Sequence, residues 1–186
     1  MKFTSGHWGL YTDFYELTMA QGYFCDGRKD DRAVFNYFFR SNPFEGGFTV
    51  FAGLQDFLDM LENFTFDTSD INFLRSCDFD INFLEYLKDF RFSGNIQSMN
   101  EGEIVFPNVP IMQVEGNIIE AQLIESFLLN ILNFESLIAT KAFRVKLASG
   151  DKIFSDFGLR RAQGLGSLQA SRATFIGGAS STSNVL

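Results

Sequence analysis

Apolar and polar residues along the first 135 positions alternate between helical and strand periodicities. Helical spacing predicts helices over residues 12–24 and 54–64, and two shorter helices around Ile71 and Ile81. The predicted caps are Thr12 or Asp13 for the first helix and Ser69 for the third. Runs of β-forming residues between Gly and Pro turns predict strands at residues 33–39, 48–52, 95–99, 104–106 and 111–114. The pattern therefore predicts a small sheet flanked by helices.

The longest helical pattern covers residues 118–148 and is apolar on nearly every side up to position 134. A membrane-spanning helix needs about 20 almost uninterrupted apolar residues, and Glu120, Glu125 and Asn130 interrupt this segment. We therefore expect a buried helix at a domain or subunit contact, followed by a second helix over residues 136–147.

The C-terminal segment follows the order of a parallel α/β fold. Residues 152–156 form a predicted strand, a loop with Gly and Arg follows, and a predicted helix over residues 167–175 ends at Gly177-Gly178. This order begins a βα unit of a parallel sheet or barrel, and residues 184–186 look like the start of another strand. Because one βα unit cannot bury both faces of a parallel strand, we expect the N-terminal piece of a larger α/β enzyme.

These patterns divide the chain into two predicted domains. Residues 1–135 form an N-terminal α/β domain that includes the long apolar helix, and residues 136–186 form the incomplete beginning of a barrel. The length of 186 residues allows one domain, or one domain and part of another. The 24 Phe residues supply enough aromatic bulk for a sizeable core.

Charge is distributed unevenly between these two parts. Residues 1–135 carry 21 acidic and 8 basic side chains, whereas residues 136–186 carry 2 acidic and 7 basic ones. Such asymmetry indicates either an anion-facing region or a solvated basic face. The net charge of −8 disfavours nucleic-acid binding, and the first ten residues lack the apolar run of a signal peptide. We therefore expect a cytoplasmic protein with no nucleic-acid or membrane partner.

The clearest candidate site is the segment 156–164, which follows the last predicted strand. Enzymes with α/β folds bind ligands at the carboxyl ends of their strands. Gly158 permits close approach of the backbone to a ligand, and Phe157 can form a wall for an aromatic ring. Arg160 and Arg161 supply forked donors that suit a carboxylate or a phosphate. The alternative is a surface Arg pair that is neutralised by nearby acidic residues.

Other features have both a functional and a structural interpretation. The hydroxyl and N–H groups of residues 180–184, including Thr182 and Ser183, either hold a phosphate or form a plain polar loop. Tyr15 on the first helix is either a platform for a ligand or a core residue. Three remaining candidates lack the spacing of metal ligands or of a nucleophile with its base, and we interpret them as structural or incidental: Cys25, Cys77 and His7.

The same segments resemble the nicotinate phosphoribosyltransferase family, and the match runs along the whole chain. Its N-terminal part consists of residues 11–20 (YTDFYELTMA), 38–44 (FFRSNPF) and 51–54 (FAGL). Its central part consists of Glu101-Gly102, Phe106-Pro107, the helix with Glu125 and Asn133-Phe134, and residues 139–142 (ATKA). Its C-terminal part consists of residues 157–164 (FGLRRAQG), Gly177-Gly178 and residues 182–186 (TSNVL).

This resemblance implies a type II phosphoribosyltransferase fold, with an α+β N-terminal domain packed on an irregular α/β barrel that is truncated in this chain. It implies a homodimer whose pocket is shared between subunits. The implied reaction transfers phosphoribosyl from 5-phosphoribosyl 1-diphosphate to nicotinate, forming nicotinate mononucleotide for NAD salvage. The resemblance also implies ATP and Mg²⁺, used through a phosphorylated histidine.

The resemblance assigns roles to individual residues as well. Tyr15 would stack on the nicotinate ring from the neighbouring subunit. Gly158 and Arg160 would line the nicotinate and phosphoribosyl pocket. Four further residues complete the implied substrate-binding set: Phe157 and Arg161 beside that pocket, and Thr182 and Ser183 near the phosphates.

The resemblance also has consequences for activity. The family's phosphohistidine falls beyond Leu186, so no catalytic residue is assigned here and we expect negligible turnover from these 186 residues alone. Nicotinamide or quinolinate transfer is the alternative chemistry, and pairing with Arg160 favours nicotinate over nicotinamide. Two non-enzymatic alternatives are a module that dimerises through residues 118–134 and a marginally folded, shortened chain with exposed sheet edges.

Overall fold

The computed structural model describes residues 8–185, which contain seven α-helices and seven short strands. The helices are α1 Phe14–Cys25, α2 Leu54–Glu62, α3 Thr68–Ser76, α4 Ile81–Lys88, α5 Ile118–Leu123, α6 Glu125–Ser149 and α7 Gly166–Ile176. The strands are β1 Arg32–Tyr37, β2 Thr49–Val50, β3 Asn95–Ser98, β4 Ile104–Val105, β5 Met112–Asn117, β6 Ser155–Asp156 and β7 Ser181–Thr182. His7, which we interpret as structural or incidental, lies outside the described residues.

The chain divides into two compact units, each assembled from separated segments. The first unit contains the chain up to Asn36 and residues 58–97 and 113–128. The second contains residues 37–57, 98–112 and 129–186. The predicted domain boundary between residues 135 and 136 falls inside α6, and the assignment of family domains on either side of it stays a prediction.

Aromatic side chains form much of the core of the first unit. The Phe64 ring stacks on that of Phe127, with centroids 4.8 Å apart, and meets Phe90 edge-on at 5.9 Å. All three side chains are buried. Such pairs contribute about 0.5–1.5 kcal/mol each beyond the area that they bury. The sheet of this unit has the strand order β1-β5-β3, so the abundant Phe residues and the small sheet agree with the prediction.

One helix start differs from the prediction, and another agrees with it in position. Asp67, not Ser69, caps α3, because its carboxylate accepts a hydrogen bond from the Asp70 N–H at 2.9 Å and the Asp70 carboxylate accepts one from the Asp67 N–H at 3.1 Å. This reciprocal pair is a capping box. Asp13 occupies the N-cap position of α1, but its carboxylate accepts a hydrogen bond from Ser126 Oγ at 2.8 Å instead of one from the helix.

The predicted end of a helix near residue 135 is wrong, because α6 continues unbroken from Glu125 to Ser149. Polar residues at this point of α6 are buried and bind backbone groups of the β2 segment. Ser136 Oγ accepts a hydrogen bond from the Ala52 N–H at 3.0 Å, and Thr140 Oγ1 accepts one from the Val50 N–H at 2.8 Å. These hydroxyls satisfy buried donors, so they support the helix. No helix of residues 8–185 combines the length and apolar character needed to cross a bilayer.

The second unit contains the predicted βα element. Strands β6 and β7 are parallel, with α7 between them in the chain, and Asp156 pairs with Thr182. Helix α7 begins and ends within one residue of its predicted bounds. Strand β6 is shorter than predicted and covers only Ser155–Asp156. The order strand, helix, parallel strand is the one expected where an α/β fold begins.

Candidate functional site

The parallel pairing of β6 and β7 places two predicted ligand-binding segments side by side at the carboxyl ends of the strands. The Ser183 N–H donates a hydrogen bond to the Asp156 carbonyl oxygen at 2.8 Å. The segment that follows β6, with Phe157 and Gly158, is therefore adjacent to the segment that follows β7. Ligands of α/β enzymes bind at this edge.

The Asp156 carboxylate organises this edge. Its Oδ1 accepts a hydrogen bond from the Gly158 N–H at 2.9 Å, and its Oδ2 accepts one from Ser171 Oγ at 3.0 Å and one from Thr182 Oγ1 at 3.1 Å. A Cβ at position 158 would lie 2.9 Å from Asp156 Oδ1. Glycine therefore fits here because the turn closes tightly on the carboxylate.

Helix α7 and the end of the chain complete the same arrangement. The Asn184 side-chain amide donates to Ser171 Oγ and, at 3.4 Å, to the Ser167 carbonyl oxygen. The Asn184 N–H donates to Thr182 Oγ1 at 3.1 Å. We call Asp156, Ser167, Ser171, Thr182 and Asn184 the Asp156 network. The Thr182 hydroxyl is occupied within this network, and its predicted approach to a phosphate stays a prediction.

The predicted aromatic and cationic groups extend from this edge into solvent. Phe157 is 71% exposed, and the turn Leu159–Arg161 presents both guanidinium groups at the surface. Within residues 8–185, neither Arg160 nor Arg161 has an acidic side chain as an ion-pair or hydrogen-bond partner. Two such free cations beside an exposed ring can bind an aromatic anion.

Tyr15 lies on α1 in the first unit and is 52% exposed, which does not fit the alternative that it is a core residue. The neighbouring Glu16 carboxylate, chiefly by hydrogen bonding, raises the pKa of the Tyr15 phenol to about 12. Glu16 itself is fully buried and accepts a hydrogen bond from the Gln122 side-chain amide. The Tyr15 phenol is therefore neutral at physiological pH and presents an uncharged ring to solvent.

An acid–arginine cluster, formed by Asp56, Glu101, Glu135 and Arg172, lies in the second unit. The Arg172 guanidinium binds both oxygens of Glu101 in a fork, with the Nη1–Oε1 bond at 2.8 Å, and lies 3.2 Å from Glu135 Oε2 and 3.6 Å from Asp56 Oδ1. Burial by itself would raise the pKa of Glu101, but the hydrogen bond from Arg172 lowers it below its ordinary value. Burial first, and then a hydrogen bond with Asp56, raises the pKa of Glu135 to about 9.

The raised pKa of Glu135 predicts how stability changes with pH. Its contribution to the free energy of unfolding is complete below the ordinary pKa of 4.5 and is lost as pH rises toward about 9. One such group changes this free energy by at most about 1.4 kcal/mol per pH unit. We expect Glu135→Gln, which keeps the neutral form, to flatten the decline measured by urea unfolding between pH 5 and pH 9. An unchanged decline in this variant would contradict the assignment.

A model of the nicotinate phosphoribosyltransferase (NAPRTase) N-terminal domain matches residues 10–133. The chain belongs to the nicotinate phosphoribosyltransferase family. Proteins named nicotinate phosphoribosyltransferase from Caenorhabditis elegans and Bacillus subtilis (strain 168) are 48% and 47% identical to it over 183 and 178 residues. Each match covers 95% of this chain but only 33% and 36% of the relative, so the chain spans about a third of their length.

Solved structures of the nicotinate phosphoribosyltransferase family and its neighbours confirm the fold class. Human Nicotinic Acid Phosphoribosyltransferase is 42% identical and superimposes with a TM-score of 0.87 over 94% of this chain and 36% of its own. The nicotinate-nucleotide pyrophosphorylase from Pyrococcus furiosus is 25% identical, with a TM-score of 0.76 over 95% of this chain and 38% of its own. The predicted mixed fold with an α+β N-terminal part is therefore correct.

Several supporting residues of the candidate site are not among the predicted site residues. Ser167 and Ser171 are spaced four residues apart, which places them on one face of α7, and this spacing is a signal that the sequence does contain. Asp156 begins the candidate segment, but nothing in the sequence identifies its three hydrogen-bond donors. Glu101 and Arg172 are 71 positions apart, and no local pattern links them.

Proposed function

We propose that this chain supplies the N-terminal part of an enzyme that joins nicotinate to 5-phosphoribosyl 1-diphosphate in NAD biosynthesis. The ring nitrogen of nicotinate forms a bond to ribosyl C1 while the bond from C1 to the diphosphate oxygen breaks, and nicotinate mononucleotide and diphosphate result. The observation that carries this proposal is the exposed Arg160, which has no acidic partner among the described residues and lies at the carboxyl edge of the parallel strands.

Each residue of the proposed site has a physical role in this reaction. Arg160 pairs with the ring carboxylate of nicotinate, because a guanidinium fork matches both carboxylate oxygens. Phe157 packs against the pyridine ring, and Gly158 lets the substrate approach the backbone. Arg161, together with Thr182 and Ser183, is proposed to face the phosphate groups of 5-phosphoribosyl 1-diphosphate.

We propose further that the enzyme is a homodimer in which Tyr15 reaches the nicotinate ring of the partner subunit. A half-exposed ring that carries no charge at physiological pH supports this role, because an aromatic substrate stacks on such a surface. The first unit would then recognise the ring of a nicotinate bound to the second unit of another copy.

The family resemblance adds ATP and Mg²⁺ to the reaction, and when bound they drive the transfer forward. Residues 8–185 contain no group of three or more His, Cys, Asp or Glu side chains arranged to hold a metal ion. No ligand of Mg²⁺ is therefore assigned among these residues. We place the enzyme in the cytoplasm, and the two free cysteines, Cys25 and Cys77, fit a reducing compartment.

A ligand titration tests the proposed carboxylate recognition directly on the chain. Nicotinate and nicotinamide differ at the group that Arg160 is proposed to bind, so the amide resonances of residues 157–161 should respond to nicotinate and much less to nicotinamide. Equal affinity for the two compounds would overturn the choice of nicotinate. Arg75, whose guanidinium donates a hydrogen bond to Asn72 on α3, provides the control variant Arg75→Met, in which this response should be unchanged.

The stacking role of Tyr15 is tested in a hybrid enzyme, in which this chain replaces the matching third of the Bacillus subtilis relative. We expect Tyr15→Ala to raise KM for nicotinate about tenfold, which corresponds to the loss of one aromatic stacking contact. Tyr15→Phe should change KM little, because the ring remains. Tyr23→Ala on the same helix is the control, and an unchanged KM in Tyr15→Ala would contradict stacking.

A further inference from the structure

Helix α7 connects the candidate ligand edge to the acid–arginine cluster. Ser171 belongs to the Asp156 network, and the next residue, Arg172, belongs to the acid–arginine cluster. Neighbouring residues lie about 100° apart around a helix with 3.6 residues per turn. The same turn of α7 is therefore held on two different sides by polar contacts.

We propose that the acid–arginine cluster is a positioning device that sets the rotation of α7 and thereby the geometry of the Asp156 network. The ligand that this geometry serves is nicotinate, and in this respect the inference rests on the proposed function. Arg172 touches no substrate in this scheme, so it is a positioning residue.

The cluster fixes α7 relative to the start of α2 and to the part of α6 around Glu135, which lie in the second unit. Glu101 Oε1 accepts hydrogen bonds from the Gly53 N–H at 2.7 Å and the Leu54 N–H at 2.9 Å, at the start of α2. Glu135 projects from α6 and is fully buried. Because Arg172 binds Glu101 and Glu135 together, any rotation of α7 would break contacts with α2 and α6 at once.

The chemistry of the cluster indicates that it orients α7 rather than only stabilising the fold. Apolar residues of similar volume often stabilise a fold as well as a buried ion pair does. A fork of two hydrogen bonds from Arg172 to Glu101 adds direction, because it forms only when the planes of the guanidinium and the carboxylate align. Ser171 is one residue away from this fork, so an error in rotation would move Ser171 Oγ away from Asp156 Oδ2.

Hydrogen exchange of the chain without ligand tests this inference. The reporters are the Gly158 and Ser183 amides, which donate to Asp156. The reference amides are those of Asn82 and Phe83, which donate to Asp80 in the first unit. In Arg172→Met we expect the reporters to exchange about tenfold faster or more relative to the reference amides, as expected for local opening.

A graded series keeps the test decisive if Arg172→Met does not fold. Arg172→Lys keeps the charge but loses the fork, so it should accelerate the reporters to a smaller extent, and Glu101→Gln should do so as well. Arg75→Met should leave every reporter unchanged. Unchanged reporters in folded Arg172→Lys and Glu101→Gln would overturn the proposal, and so would an equal acceleration of reporter and reference amides, which would indicate only a loss of global stability.

A kinetic measurement separates this inference from the proposed function. In the hybrid enzyme, Arg172→Lys should raise KM for nicotinate while kcat changes less, because the pocket is displaced and the reacting groups remain. If the chain shows the exchange pattern but residues 157–161 do not respond to nicotinate, the positioning role of the cluster is supported. The assignment of nicotinate as the substrate is then overturned. If residues 157–161 respond to nicotinate but the exchange pattern is absent, nicotinate remains the assigned substrate and the positioning role of the cluster is overturned.

Discussion

Replacing Gly177 by Ala should lower the free energy of unfolding by about 2–3 kcal/mol, because the added methyl group overfills a closely packed contact. A Cβ at position 177 would lie 2.4 Å from the Ala139 carbonyl oxygen and 2.5 Å from the Ala142 Cβ. Both residues belong to α6 and are buried. A backbone oxygen cannot move aside as a flexible side chain can, so the end of α7 would be displaced from α6.

The matched control for this substitution is expected to raise the free energy of unfolding. Gly22 lies inside α1, and a Cβ there would have no atom within 4 Å. Gly22→Ala should therefore stabilise the chain by about 0.5–1 kcal/mol through helix propensity. Urea unfolding of both variants measures the difference, and a neutral Gly177→Ala would show that α6 and α7 are not closely packed at this point.

Replacing Arg160 by Met should lower kcat/KM for nicotinate about 100-fold in the hybrid enzyme, since hydrogen bonds to a charged group contribute about 1.5–3 kcal/mol. The effect depends on the substrate carboxylate. Any activity with nicotinamide, which has no charge to pair with Arg160, should therefore change little. Steady-state kinetics with both substrates measures this difference.

The prediction for Arg160 has a matched control in Arg75 on another helix. Arg75→Met removes a surface guanidinium on α3 and should leave both substrates unaffected. If Arg160→Met lowers the activity with nicotinate and nicotinamide by the same factor, Arg160 does not recognise the carboxylate. The neighbouring Arg161 would then be the candidate for that role.

Local periodicity was sufficient to predict the elements that carry the candidate site. The βα order from position 152 to position 178 follows from a strand, a Gly and Arg turn and an apolar helical stretch, and it places Gly158 and Arg160 at a strand end. The charge asymmetry also pointed to this part of the chain. Short-range patterns along the chain determine these features.

Contacts between distant residues could not be predicted in the same way. Ser136 and Thr140 lie within α6 and bind backbone N–H groups 84 and 90 positions away. Those contacts support the unbroken α6, and no local pattern shows them. The partner of Arg172 likewise depends on tertiary packing, since its charge alone is equally consistent with a solvated surface residue.

Product formation by the hybrid enzyme tests the central claim most directly. The measurement is the amount of nicotinate mononucleotide formed from nicotinate, 5-phosphoribosyl 1-diphosphate and ATP, compared with the unmodified Bacillus subtilis relative and with the Arg160→Met hybrid. We predict product that depends on 5-phosphoribosyl 1-diphosphate and that falls sharply in Arg160→Met. A folded hybrid that forms no nicotinate mononucleotide, or that uses nicotinamide equally well, would contradict the account.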